Sequence, residues 1–348
     1  MSDIEIRKEG RAGRITLNRP KALNALTYPM CLEIEAALDR WRDDDSVALM
    51  LIDAAGDRAF CAGGDIAVMY ETGTKGDYAY GQKFWRDEYR MNAKIAEYPK
   101  PVISLMQGFT MGGGVGVGCH GSHRVVGETA QVAMPECGIG LVPDVGGSGL
   151  LAHAPGRLGV YLGVTGRRMG PGDAIHAGFA DHFVPEADWP ALSAELVETG
   201  DADAVLRAAT SAPQGDLPAL QQEVDRLFAP RTLSAIVTAL QADGSDFAAD
   251  TLTRLGRGSP LAIACTIEMQ NRLTPRATIR DALALEYRFT YRAPQHSDFL
   301  EGVRAAIIDK DRSPSWRHHA LTAVSQEEVA QMLAPLGDDG LDLEEELT

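Results

Sequence analysis

Directly after the apolar run Pro101-Val102-Ile103-Ser104-Leu105-Met106, the chain places glycine at 112, 113, 114, 116, 118 and 121. Each glycine in a helix costs about 1 kcal/mol relative to alanine, so this density is hard to justify as ordinary packing and implies that something approaches the backbone closely. A second glycine-rich stretch precedes it, Cys61-Ala62-Gly63-Gly64-Asp65, which taken alone reads equally well as a turn whose Asp65 caps a helix. If the two loops converge, their N–H groups can point at one ligand oxygen and form an oxyanion hole, where a single donor is worth about 3 kcal/mol of barrier.

Two acids follow the second loop. Met134-Pro135-Glu136 sets a carboxylate at the end of an apolar strand, and Val142-Pro143-Asp144-Val145-Gly146-Gly147 sets another before a helix start. Among Ile139, Leu141 and Val142 these carboxyls are expected to be partly desolvated, which raises their pKa toward neutrality and suits them to acid–base or nucleophilic work. A helix N-cap for Asp144 and a hydrogen-bonded structural role for Glu136 are the plain alternatives.

Other chemistries find less support. Gly116-Val117-Gly118-Cys119-His120-Gly121 formally matches a dinucleotide-binding fingerprint, but three glycines displace it from the strand end and no acid follows at the ribose distance. No Gly-Lys dipeptide exists to make a P-loop, and no G-x-S-x-G elbow anchors a serine hydrolase. His120, His123, His318 and His319 have no acid or cysteine cluster completing a ligand set, so no metal site is expected.

The 348 residues carry a net charge of -16, which disfavours a nucleic-acid partner. Five scattered cysteines without CxxC spacing read as reduced thiols, and no stretch has the length and apolarity of a signal peptide or membrane span, so the expected location is cytoplasmic. Strand signals at Arg14–Leu17, Val47–Ile52, Pro101–Met106, Arg124–Val126 and Gln131–Met134 alternate with helical ones, including a helix opened by Thr27 and Pro29. These predict an α/β core of strand-strand-helix repeats over 1–200, with a mobile polar loop from Gly73 to Tyr80 before a helix near Phe84 to Ala96. Proline-punctuated amphipathic helices over 201–335 follow, one of them marked by Phe299, Val303, Ala306 and Ile307, and then an acidic tail over 336–348 expected to be frayed.

The segments Asn18–Leu26, Phe60-Cys61-Ala62-Gly63-Gly64-Asp65-Ile66 and Met111-Gly112-Gly113-Gly114 resemble the crotonase, or enoyl-CoA hydratase/isomerase, superfamily. Ala133–Glu136, Gly138–Gly147 and Phe299–Ala305 with Asp309-Lys310-Asp311 are similar, more narrowly, to its 3-hydroxyisobutyryl-CoA hydrolases. The resemblance implies a crotonase (ClpP-like) spiral whose C-terminal helical region completes an acyl-CoA site. It implies hydrolysis of a short 3-hydroxyacyl-CoA in valine breakdown, with coenzyme A as part of the substrate and no cofactor.

By the same resemblance the thioester carbonyl lies on the N–H groups of Gly64 and Gly113, flanked by Ala62, Gly63 and Asp65. Glu136 acts as nucleophile or base, Asp144 places the 3-hydroxyl or assists proton transfer, and Glu88 contacts substrate. Lys21 and Lys310 are candidates for the coenzyme A phosphates. Hydratases of the superfamily carry an acid at the position matching Gly116, and its absence speaks against hydration and isomerisation. An enoyl-CoA hydratase or isomerase, and a non-catalytic acyl-CoA-binding protein, are the rival readings. Superfamily members often form trimers or hexamers while the longer hydrolases need not, so a homo-oligomer is one of the expected states.

Overall fold

A computed structural model describes residues 2–343. The strand-strand-helix repeat takes a specific physical form. β1 (Ile4–Glu9) and β2 (Ala12–Leu17) make an antiparallel hairpin, and α1 (Tyr28–Arg42), capped by the Thr27 side chain, returns the chain to β3 (Leu49–Ala54) parallel to β2. Three strand pairs follow: β3 with β4 (Ala59–Cys61), β5 (Val102–Met106) with β6 (Phe109–Met111), and β7 (His123–Val126) with β8 (Gln131–Ala133).

The first member of each pair joins a six-stranded sheet of order β1-β2-β3-β5-β7-β9, where β9 is His182–Phe183. The second joins a small parallel sheet of order β4-β6-β8. Its register pairs Cys61 with Thr110 and Met111 with Ala133, so the three chains leave the small sheet side by side and in the same direction. The buried strands are apolar runs, as parallel strands covered on both faces require.

Helices take over from Gly147, and among the described residues no strand follows β9. Helices 217–227, 233–243, 246–255, 260–272 and 279–296 bury their apolar faces in the cluster that also holds Ile15, Phe60 and Val132. The C-terminal region therefore shares one core with the sheets. No helix of the described residues is long and apolar enough to cross a membrane.

Several local readings change. The expected loop from Gly73 to Tyr80 is shorter: α2 (Ala67–Gly73) and α3 (Ala79–Ala96) leave only a turn between them, with Gly73 held against Leu300. The helix expected through Ile307 runs as an α-helix only over Phe299–Val303 and then widens into a π-turn, Arg304–Ile308. The tail is not frayed as far as it is described, because leucines interrupt its acids. Leu343 is buried, and Arg86 donates to the carbonyls of Asp339 and Gly340 at 3.1 and 3.4 Å. Residues 344–348 of that tail lie outside the described residues.

The glycine cluster divides in two. Gly112 (φ 49°) and Gly113 open α4 (Gly113–Gly118) at the end of β6 and do face a cavity. The others are packing residues, contrary to the ligand-approach reading: a Cβ on Gly114 would sit 2.1 Å from the Cys61 carbonyl oxygen, one on Gly118 2.7 Å from Met106 Sδ, and one on Gly121 2.7 Å from the Val102 carbonyl oxygen. Close approach is required, but by the protein itself. Gly114→Ala must push α4 off β4, and chemical denaturation should show a loss of at least about 2 kcal/mol; a wild-type midpoint would contradict this packing.

Candidate active site

The three parallel exits from the small sheet build one cavity. After β4 come Ala62, Gly63 and Gly64; after β6 come Gly112 and Gly113; after β8 come Pro135 and Glu136, and all of them line a cavity of about 230 Å³. Asp144 and Val145 close it from the next loop, Phe84, Trp85 and Glu88 from α3, and Ala306 and Ile307 from the π-turn.

Gly64 and Gly113 meet at its centre. A Cβ built on Gly113 would lie 3.3 Å from the Gly64 nitrogen and 3.1 Å from Glu88 Oε1. The parallel bridge of Leu26 to Gly64 uses the Gly63 carbonyl and the Asp65 N–H, and among the described residues the N–H of neither Gly64 nor Gly113 has a backbone acceptor. Two unpaired donors side by side are what an anionic oxygen needs.

Three carboxyls surround these donors with little solvent: Glu88, Glu136 and Asp144 are 4%, 5% and 4% exposed. A Cβ on Gly112 would lie 3.0 Å from Glu136 Oε1, while Oε2 has no partner, and Glu88 Oε1 has none either. Burial, then the charge of Asp144, pushes Glu136 and Glu88 well above the ordinary carboxylate range. Burial raises Asp144 too, but only to about 7, because the Tyr89 hydroxyl donates to its Oδ2 at 2.9 Å. The Asp144 charge acts on Glu136, so protonation of one bears on the other.

The loop carrying Asp144 is strained and clamped. Val145 is β-branched yet sits at φ 54°, a left-handed conformation costly for such a residue. Its carbonyl contacts His120 Nε2 at 2.8 Å, and burial lowers that imidazole to about 4, so it is the neutral ring that donates. Just beyond, the fully buried Glu286 accepts from the N–H groups of Gly146 at 2.8 Å and Ser148 at 3.0 Å, and from the Ser148 hydroxyl. Burial raises Glu286 to about 8.

Of the residues singled out from sequence, Ala62, Gly63, Gly64, Glu88, Gly113, Glu136 and Asp144 are brought together. Asp65, Lys21 and Lys310 are not in the cavity lining. Asp65 pairs with Arg19 at 3.0 Å, Lys21 is exposed on a 3-10 turn, and Lys310 is exposed beyond the π-turn. Asp144 does not cap its helix, because Gly146 holds the cap position. Sequence reasoning missed Tyr89, His120 and Glu286, which act from other elements. Only the placement of Tyr89 next to Glu88, and of Glu286 on the apolar face of an amphipathic helix, hinted at them.

The fold and this cavity define an acyl-CoA enzyme scaffold of the crotonase type, and the model of the enoyl-CoA hydratase/isomerase family matches residues 12–333. The chain belongs to that family. It is similar to the mitochondrial 3-hydroxyisobutyryl-CoA hydrolase of Danio rerio, 39% identical with 98% of this chain and 92% of that protein covered. It is also similar to that of Homo sapiens, at 37% with 97% and 90% covered. Among solved structures, an enoyl-CoA hydratase from Rhodobacter sphaeroides 2.4.1 is 62% identical with a TM-score of 0.94, covering 98% of this chain and 100% of that one. A carnitinyl-CoA dehydratase from Mycobacterium thermoresistibile is 39% identical with a TM-score of 0.93, covering 99% of each chain.

Burying these acids has a consequence for stability. A carboxyl whose pKa is raised by folding binds more protons folded than unfolded, so its contribution falls as pH climbs from about 4 through the folded value. Glu88, Glu136, Asp144 and Glu286 all act in that direction. The melting temperature should therefore fall between about pH 6.5 and about pH 8, above the range in which the buried, neutral His120 acts in the opposite direction, and Glu136→Gln should flatten that fall. A melting temperature that rises over this interval would contradict the burial described.

Proposed function

We propose that the protein hydrolyses a short 3-hydroxyacyl-CoA thioester, 3-hydroxyisobutyryl-CoA to 3-hydroxyisobutyrate and free coenzyme A. The observation that carries this reading is the juxtaposition of two unpaired amides, Gly64 and Gly113, with the unpartnered carboxyl oxygen of Glu136 in one 230 Å³ cavity. A cavity of that size suits a short branched acyl group. The thioester carbonyl rests on the two N–H groups, which stabilise the oxyanion as the carbonyl carbon becomes tetrahedral. Glu136 delivers the attacking oxygen, and Asp144, steadied by Tyr89, manages the proton of the 3-hydroxyl or of the leaving thiol. Water is consumed, the C–S bond breaks, and the thiolate leaves protonated. Label recovered in the Glu136 carboxyl after a single turnover in labelled water would show that Glu136 attacks first, since direct attack by water puts the label only in the acid product.

The relatives named above span hydrolase, hydratase and dehydratase. Hydration across a double bond calls for a second acid, and position 116 has no room to carry one: a Cβ there would lie 2.7 Å from Asn92 Nδ2 and 2.9 Å from Val145 Cβ. That crowding favours hydrolysis. The chemistry in this reading is carried by side chains, amides and water, with coenzyme A entering as part of the substrate. The five cysteines are all free and buried, which suits a reducing compartment such as the cytoplasm, and the substrate would place the enzyme in valine breakdown.

Coenzyme A release from 3-hydroxyisobutyryl-CoA tests the reading against crotonyl-CoA hydration. Glu136→Gln and Asp144→Asn should each lower release by at least about a hundredfold, with ligand binding largely kept. The rate should rise with pH as Glu136, the attacking group, ionises, and because the Asp144 charge raises Glu136, Asp144→Asn should move that limb to lower pH. Hydration of crotonyl-CoA without thiol release from the hydroxyacyl ester would overturn the proposal.

A further inference from the structure

The face of α3 that lines the cavity continues past Glu88. Phe84, Trp85 and Glu88 border the cavity, and Asn92 follows one turn deeper, at the i+4 position from Glu88. Asn92 is 0% exposed, and neither its Nδ2 nor its Oδ1 has a hydrogen-bond partner among the described residues. Folded proteins keep an unpaired buried carboxamide mainly where water or a ligand completes it, since an apolar side chain of similar shape avoids the penalty altogether. Asn92 lies one helical turn from Glu88, whose Oε1 is likewise unpartnered.

α4 shows where the unpaired atoms point. A Cβ on Gly113 would lie 3.1 Å from Glu88 Oε1, and one on Gly116 would lie 2.7 Å from Asn92 Nδ2. Gly113 and Gly116 are neighbours on one helix face, about 4.5 Å apart along the axis. Glu88 Oε1 and Asn92 Nδ2 thus both face α4 along one seam, at positions one helical turn apart; a water between them would make two hydrogen bonds of about 2.8 Å each. The Gly113 end of the seam is also the end beside the Gly64 amide.

We propose that Asn92 is a positioning residue whose carboxamide holds a buried water against Glu88, and that this bridge keeps the Glu88 carboxyl turned toward the Gly64–Gly113 amide site. The proposal rests on reading the cavity as a thioester site. Asn92 Nδ2 donates to the water, and the water donates to Glu88 Oε1. Burial and the Asp144 charge keep Glu88 protonated well above its ordinary range, so its remaining O–H is free to donate to the bound ester. Without the bridge, Glu88 is one more buried acid with no fixed direction.

The test is a double-mutant cycle on the acyl-CoA that the wild-type enzyme turns over, read together with thermal melts. Asn92→Leu should melt at or above the wild-type temperature yet lose at least about tenfold in kcat, with KM changed far less. In a Glu88→Ala background the same change should cost less than about twofold, because its effect passes through Glu88. Asn92→Ser, which keeps a donor and leaves room for water, should recover most of the rate. Unchanged kcat in Asn92→Leu, or costs that multiply independently of Glu88, would overturn the proposal. A high-resolution crystal structure of the wild-type protein adds a readout independent of activity and of variant folding: an ordered water between Asn92 Nδ2 and Glu88 Oε1 supports the proposal, and a dry seam overturns it. A wild-type protein that hydrolyses no acyl-CoA would sink the hydrolase reading while leaving this water to be seen or missed.

Discussion

Parallel pairing of three short strands is the constraint on which everything else rests. β4, β6 and β8 contribute only three residues each, but their common direction and register bring three loops out at one end of a single small sheet. The loops are long separated in sequence, and the ladder alone makes them neighbours. Gly114 locks the arrangement, since its missing side chain lets α4 rest on the Cys61 carbonyl. The amides of Gly64 and Gly113 are left unpaired as a direct geometric result.

Charge burial is the other side of the account. Four carboxyls lie close together with limited access to water, and burial pushes each above its ordinary range. Asp144 accepts from a tyrosine hydroxyl and is raised to about 7; Glu136 leaves an oxygen bare and is raised by burial and by the Asp144 charge. Environment thereby separates two chemically similar acids into different roles. The strain at Val145 belongs to the same economy of structure, because the turn that aims Asp144 is held by His120 on one side and Glu286 on the other. A strained turn of this kind persists only when its surroundings over-determine it.

Much of this was legible in the chain, for identifiable reasons. Glycines after buried strands and acids after prolines are local signals, and the residues that carry them, Gly64, Gly113, Glu136 and Asp144, meet in one cavity. Tyr89, His120, Glu286 and Asn92 were not legible, because each acts across the core from a helix or helix end whose local pattern looks like ordinary packing. Glycine density misled in part: spacing cannot separate a glycine that admits a ligand, such as Gly112, from one that admits a neighbouring strand, such as Gly114. The expected phosphate contacts at Lys21 and Lys310 came from likeness alone, and neither residue lies in the cavity lining.

A crystal structure with a non-hydrolysable ketone analogue of 3-hydroxyisobutyryl-CoA tests the central claim most directly. The account predicts the carbonyl oxygen within about 3 Å of both the Gly64 and Gly113 nitrogens, and the Glu136 carboxyl facing the carbonyl carbon. A carbonyl bound elsewhere, or held by side chains while both amides stay empty, would contradict it.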